Sequence, residues 1–315
     1  MRGMPTGRFA PSPTGDLHLG NLRTALLAWL FARSRDGRFL LRMEDLDPAT
    51  VRDAYYARQP ADLAALGLDW DGDVVRQSAR LGLYRDAIAR LEAAGETYPC
   101  YCTRREIAEA ASAPHGRSPD GAYPGTCRRL TAWQRAEREA GGRVPALRLR
   151  GDGVRLSFVD AVHGPYEGLV DDVVIRRNDG TPAYNLAVVV DDVAQGVGEV
   201  VRGDDLLSST PRQLHIADRL GLRPPSYAHV PLVLAPDGNR LAKRHGAVTL
   251  ADRRALGETP AEFAGWLAAS AGLLDQAEPL SPANLRELAA GFDVDRLDRS
   301  PTVLSPAEAE PAPKE

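Results

Sequence analysis

His18 and Gly20 stand where a loop punctuated by Pro11, Pro13 and Gly15 gives way to an apolar-periodic stretch from Leu22 to Ala32. The residues before the loop, Arg8 to Pro11, read as a short strand. A strand that ends in such a loop and feeds a helix turns free backbone N–H groups and the positive end of the helix dipole toward one point, which suits a phosphate. Gly20 would let a nucleotide approach the backbone, and His18 would donate a hydrogen bond to a phosphate oxygen as charge redistributes. An isolated His-x-Gly is more often a helix cap beside a packing glycine, so the weight rests on the whole run from Arg8 to Asn21. Far downstream, Arg240-Leu241-Ala242-Lys243-Arg244 follows the turn Asp237-Gly238. A lysine on a loop beyond a strand end can clamp phosphates, and Lys243 is the candidate, although a Lys-Arg pair alone is usually solvated surface.

A second constellation is Cys100, Cys102 and Cys127, an odd number in a short span that suits a metal better than a disulfide framework. Three thiolates need a fourth ligand for a closed tetrahedral zinc site, and either His115 or Tyr123 could supply it; imidazole is the commoner zinc ligand. The competing reading is three free buried cysteines. A metal here would be structural, stapling a Gly/Pro-rich segment that lacks apolar residues for a core of its own.

The elements that must position these groups follow from the pattern of the 315 residues. Arg38 to Glu44 reads as a second strand and Pro48 opens a helical stretch through Leu66, so the chain starts as a βαβ unit with a parallel sheet. From about Thr97 to Val144 the rhythm is interrupted, and strand-like segments return at Leu147 to Leu149 and Leu156 to Val159. The apolar run Tyr184 to Val190 suits a buried parallel strand. Pro211 to Leu220 reads as a helix leading to a strand at Val230 to Leu234. Helices are expected at Thr259 to Leu274 and Ser281 to Ala290, with Thr259 and Ser281 as caps and Pro260 and Pro282 in the first turn.

Composition narrows the function. A formal net charge of -4 argues against a protein that coats nucleic acid through bulk positive charge, so any RNA contact must be local. No stretch is long and apolar enough to span a membrane and the start lacks a signal-peptide core, so no membrane partner and a cytoplasmic location are expected.

Together the His18 and Lys243 segments resemble the HIGH and KMSKS signatures of class I aminoacyl-tRNA synthetases, and RFAPSPTGDLHLGN is close to the form in glutamyl-tRNA synthetases. Arg42 to Asp47, Leu66 to Asp71, Tyr184 to Asp192 and Val201 to Gly203 also look like that family. The resemblance covers roughly residues 7 to 250. It implies that ATP is held by His18, Gly20, Asn21 and Lys243 and accompanied by Mg2+, with His18 and Lys243 catalytic. It also implies a pocket for L-glutamate: Arg8 and Arg202 for the carboxylates, Glu44 for the ammonium, and Ala10, Ser12 and Tyr184 for the remaining hydrogen bonds. Arginine suits a carboxylate because its fork binds both oxygens. Without the family match, Glu44 reads as an ion pair with Arg42 or Arg23, and Tyr184 as a core residue with a satisfied hydroxyl. The family's C-x-C…Y-x-x-x-C pattern favours Tyr123 over His115 beside Cys100, Cys102 and Cys127 around one Zn2+. Asn21 replaces the second histidine of HIGH, RLAKR keeps the lysine but loses the serine, and Val188 replaces a polar residue found in some relatives, which predicts modest glutamate affinity.

The expected fold is therefore α/β: a class I synthetase Rossmann-type parallel sheet with an inserted zinc-containing subdomain and a short C-terminal helical stem. The halves of the catalytic fold fall at 1–96 and 184–235, the insertion at 97–183, the KMSKS-like loop and stem at 236–299, and a disordered tail at 300–315. No anticodon-binding domain is expected from the residues after Leu250. That architecture resembles the glutamyl-Q tRNA(Asp) synthetases, which attach glutamate to queuosine of tRNA(Asp). ATP, L-glutamate and queuosine-bearing tRNA(Asp) are then the partners of a monomer. The alternatives are a compact enzyme charging the 3' end of tRNA(Glu) and an inactive tRNA-binding paralogue.

Overall fold

A computed structural model of the chain describes residues 6–103, 105–107, 122–241 and 248–305. Strand β1 (Thr6–Phe9) leads through the Pro/Gly loop into α1 (Leu19–Arg33) and on to β2 (Arg38–Met43), which pairs with β1 in parallel. After α2 (Ala54–Ala65), the short β3 (Val75–Arg76) extends the sheet beyond β2. Helix α3 (Leu81–Ala93) then leads to β4 (Thr97–Cys100), α4 (Ala132–Ala140) and β5 (Ala146–Leu149). A hairpin of β6 (Arg155–Asp160) and β7 (Gly164–Leu169) is followed by β8 (Val173–Arg176) and α5 (Tyr184–Ala194). Strand β9 (Glu199–Gly203), α6 (Thr210–Arg219) and β10 (Ser226–Val230) complete the second half, with β10 between β9 and β6 in parallel pairing. Gly198 N–H donates to Thr6 O at 2.8 Å, bringing β9 alongside β1. The halves therefore wind outward in opposite directions from the β1/β9 boundary, the switch point at which doubly wound sheets open a crevice.

The main core forms where α1, buried along almost its whole length, is sandwiched between this sheet and the C-terminal helices α7 (Leu250–Ala255), α8 (Pro260–Ala269) and α9 (Pro282–Ala290). Thr259 and Ser281 cap α8 and α9 through reciprocal capping boxes, with proline in the first turn of each. The Leu66 to Asp71 segment is structural. Asp69 accepts from Trp29 Nε1 at 2.8 Å and from Arg286 at 3.1 Å, and Asp71 accepts from Phe39 N–H at 2.7 Å, which binds α1, β2 and α9 together.

Strands β4, β5 and β8 form a separate antiparallel sheet, and its apolar face packs with α3, α5 and α6 in a second core.

Four expectations change. Tyr184 to Val190 is the start of α5 rather than a strand. Leu186 to Asp192 are all buried, so no exposed face breaks the apolar run into a 3.6-residue period, and β-branched valines complete the disguise. The helix expected from Pro48 begins at Ala54, because residues 47–51 form a turn on Asp47 O and Arg52 N–H bonds Pro13 O at 3.0 Å. The strand expected at Val230 to Leu234 divides at Pro231 into the end of β10 and β11 (Val233–Leu234). The tail is ordered at its start: β12 (Thr302–Val303) pairs in parallel with β11, and Leu304 is buried. Residues 306–315 lie outside the described residues.

Candidate active site

The C-terminal ends of β1, β2 and β9 open onto one cavity of about 340 Å3 at the switch point. Its lining includes Arg8, Ala10, Ser12, His18, Gly20, Asn21, Glu44, Tyr184 and Arg202. Residues from four separate parts of the chain are thus gathered at one point, as the sequence reading required. Lys243 lies outside the described residues, as does His115. Leu241, just before the undescribed 242–247, lines the same cavity, and Val248, just after it, accepts from Leu19 N–H at 2.7 Å. Val188 is buried in α5 and is not part of the lining.

His18 is the N-cap of α1. Its Nδ1 accepts from Asn21 N–H at 3.3 Å while the Asn21 side chain accepts from His18 N–H at 3.2 Å. Burial lowers the His18 pKa, so the ring is neutral near pH 7. With Nδ1 used as an acceptor, its proton sits on Nε2, free to donate. Asn21 thus completes a capping box at the position of the second histidine. Gly20 has a second use: a Cβ there would lie 3.1 Å from His18 Cε1 and 3.2 Å from Nδ1, so any side chain would displace the imidazole. A further cavity of about 360 Å3 flanks this helix end, lined by Ser12, Thr14, Gly15, Asp16, His18 and Gln59 among others.

Charge in the main cavity is arranged along two walls. On one, Arg8 Nε meets Asp192 Oδ1 at 3.3 Å and its Nη1 donates to Val201 O at 3.1 Å. Arg42, wholly buried, donates from Nη1 to the same Asp192 oxygen at 2.8 Å and from Nη2 to Glu44 Oε1 at 3.3 Å. Burial alone would raise the Asp192 pKa, but Arg42 and Arg8 outweigh it and hold the carboxyl below its usual range. Burial raises the Glu44 carboxyl above its usual range, with Arg42 and Arg8 opposing. A ligand ammonium would favour the ionised form. The ion pair of Glu44 with Arg42 and the cavity-facing position coexist, while Arg23 points elsewhere, to Pro231 O and Ser270 O. Tyr184 is 40 % exposed at the cavity and is no core residue.

On the other wall Arg202 donates from Nε to His229 Nε2 at 3.0 Å, from Nη1 to Gln213 Oε1 at 2.8 Å and from Nη2 to Thr210 Oγ1 at 2.8 Å. These partners are neutral, so this buried guanidinium retains a positive field toward the cavity.

Several residues that shape the site gave no separate signal in the sequence. Asp192 follows Asp191 at the end of the apolar run, where neither charge by itself marks a buried anchor. Gln59 lies in a helix with nothing to distinguish it, yet its Nε2 ties the phosphate loop by donating to Ser12 O at 3.0 Å and Gly15 O at 2.8 Å.

A larger cleft of about 1110 Å3 opens from Ser12, Glu44 and Tyr184 toward Cys100 and Cys102, with Arg143, Arg148, Arg177 and Arg212 in its walls. At its far end the three cysteine sulfurs lie within 4.8 Å of one another. Tyr123 Oη is 3.3 Å from Cys100 Sγ and 3.6 Å from Cys102 Sγ, and Cys102 and Cys127 Sγ are 3.5 Å apart. Donors this close, three soft sulfurs and one oxygen, fit the edges of a tetrahedral zinc shell. The hydrogen bond from Cys127 is the largest influence on the Cys100 thiol and lowers its pKa against burial, with Tyr123 and Arg148 acting in the same direction. Among the described residues no other group of three or more His, Cys, Asp or Glu side chains converges in this way.

The family profile for class I tRNA synthetases (E and Q), catalytic domain, matches residues 6–264. A glutamyl-Q tRNA(Asp) synthetase of Nocardia farcinica is 62 % identical over 95 % of this chain and 93 % of its own. That of Symbiobacterium thermophilum is 52 % identical over 97 % of each. Among solved structures, the glutamate tRNA ligase of Elizabethkingia meningosepticum in complex with its amino acid superposes with a TM-score of 0.80 at 26 % identity, covering 97 % of this chain and 68 % of that one. A switch-point cavity of this charge pattern, in a chain so similar along its length, places the protein in the glutamyl-Q tRNA(Asp) synthetase family of class I tRNA synthetases.

Proposed function

We propose that the chain activates L-glutamate with ATP and transfers the glutamyl group to queuosine in tRNA(Asp). The observation that carries this reading is the convergence of Arg8, Arg202 and Glu44 on one cavity beside the N-terminus of α1. Glutamate brings two carboxylates and an ammonium, and two arginines with one carboxylate complement that set. In the first step a glutamate α-carboxylate oxygen attacks the α-phosphorus of ATP and pyrophosphate leaves. His18 Nε2–H and the helix N-terminus stabilise charge on the phosphate, with Lys243 as the loop-borne cation. Mg2+ bound to the ATP phosphates would neutralise part of their charge. In the second step a hydroxyl of the queuosine cyclopentene ring attacks the activated carbonyl and AMP leaves.

The RNA would reach the carbonyl through the larger cleft, where phosphates would exchange for the carboxylates of Glu106, Asp47 and Asp171 now paired with Arg143, Arg177 and Arg212. We read 97–183 as the insertion, which lends β6 and β7 to the main sheet and whose remainder forms the far wall of the cleft, held by Zn2+ on Cys100, Cys102, Tyr123 and Cys127, and the protein as cytoplasmic. Purified protein should carry about one zinc per chain, and Cys127→Ser should lose both the metal and melting temperature.

The decisive experiment is transfer of labelled glutamate to queuosine-containing tRNA(Asp) and to tRNA(Glu), with nuclease digestion to locate the label. Label on the queuosine nucleotide is expected. Label on the 3' adenosine of tRNA(Glu) would make the protein a charging enzyme, and no label on either would leave it without transfer activity.

A further inference from the structure

We propose that Asp160 and His229 form a buried positioning pair that fixes Arg202, and through it the seat of one substrate carboxylate. The inference rests on reading Arg202 as a carboxylate ligand.

The three residues stand side by side at the ends of three parallel strands. Arg202 on β9 is in register with His229 on β10, and Asp160 ends β6 on the far side of β10. His229 Nδ1 lies 2.6 Å from Asp160 Oδ2, and both side chains are wholly buried. Asp160 also accepts from the backbone N–H groups of Val162 at 3.0 Å, His163 at 3.0 Å and His229 at 3.1 Å. A carboxylate held by three backbone donors is fixed in place and stays ionised, so it accepts from Nδ1 and holds the imidazole proton there. Nε2 is then a lone pair, and the Arg202 Nε–H points at it. Tyr227 stacks on the His229 ring at 6.0 Å with planes 13° apart.

The arrangement aligns a guanidinium without neutralising it. Had Asp160 touched Arg202 directly, the ion pair would compete with the ligand for the same donors. With a neutral imidazole between them, the carboxylate orients the arginine at a distance and leaves the second N–H of Nη1 as donor capacity for a ligand, Nη2 being turned to Thr210 Oγ1 and Leu206 O.

The test is glutamate-dependent ATP–pyrophosphate exchange with queuosine-containing tRNA(Asp) present, on Arg202→Gln, His229→Asn, His229→Gln and Asp160→Asn, with melting temperatures alongside. Asparagine at 229 can still donate to Asp160 but offers Arg202 no acceptor, and glutamine can replace the Nε2 acceptor. Asp160→Asn would draw the imidazole proton to Nε2 and aim it at the Arg202 Nε–H. His229→Asn and Asp160→Asn should raise the glutamate KM about tenfold or more, the size of a lost hydrogen bond to a charged group, with the ATP KM little changed. His229→Gln should recover most of that loss.

If Arg202→Gln raises the glutamate KM while His229→Asn and Asp160→Asn do not, the positioning role fails and the carboxylate reading stands. If His229→Gln is as impaired as His229→Asn, in step with melting temperature, the pair is merely structural. If Arg202→Gln leaves the KM unchanged, the carboxylate reading itself fails, and the positioning role with it. In the unsubstituted protein, ring-nitrogen NMR of His229 should find the proton on Nδ1, and a proton on Nε2 would overturn the proposal independently of any variant.

Discussion

The two cavity arginines are held in opposite ways. Arg8 touches a carboxylate directly and shares that Asp192 oxygen with the buried Arg42. Arg202, among the described residues, touches none; its anion stands one neutral ring away. The first wall is a closed charge network in which two guanidiniums share the Asp192 carboxylate and Arg42 also meets Glu44 and Asp191, so it is rigid and costly to disturb. The second wall keeps its cation's field available to a ligand, and disturbing it should register in binding before it registers in stability. Both solutions keep a guanidinium buried; they differ in which free energy the burial draws on.

The strongest way to break this comparison is Asp192→Ala, which takes from Arg8 its carboxylate partner among the described residues and leaves Arg42 with Glu44 and the more distant Asp191. Urea denaturation should show a loss of roughly 3–5 kcal/mol, the usual cost of breaking a buried pair from one side. A stability loss from His229→Asn as large as that from Asp192→Ala would erase the distinction between the walls. His18→Ala comes next, since it touches neither wall. Adenylate formation should fall by about a hundredfold or more. The lost cap should cost only about 1 kcal/mol of stability. Glu44→Gln should raise the glutamate KM by about tenfold or more, because the ligand ammonium loses its anion. Since burial raises the Glu44 pKa, the wild-type glutamate KM should climb on mild acidification, a rise that Glu44→Gln removes. Full persistence of that climb in the variant would exclude Glu44 as its source.

The smallest effect is on stability against pH. Burial lowers the pKa of His18, His215 and His229 in the folded protein. The unfolded chain therefore binds more protons as pH falls through the ordinary histidine value of about 6.5, and stability should decline there and be regained above it. Denaturation midpoints that do not change between about pH 7.5 and pH 5.5 would contradict neutral burial of these rings.

The two ends of the fold were legible because their signals are local. The Pro/Gly loop, the long Leu/Ala-rich run of α1 and the capping boxes of α8 and α9 act over a few residues, and each formed where the pattern placed it within a few positions. The candidate site was legible through motifs whose order along the chain matches the family, and nine of the residues named from them line one cavity. The helix α5 was misread because, buried on nearly every side like α1, it has no polar face to mark a period, and its β-branched valines, unlike the leucines and alanines of α1, favour a strand.

By itself the sequence determined which chemical groups are present and where the chain turns: the phosphate loop, the cysteine trio, and the arginines and glutamate that match a dicarboxylic amino acid. Tertiary structure decided how each group is held. Nothing local separates Asp192, which pairs with Arg8 and Arg42, from Asp160, which reaches Arg202 only through His229. Those partners lie on strands and helices far apart in the chain, and the charge each arginine offers a ligand depends on which neighbour the packed sheet brings within hydrogen-bond distance.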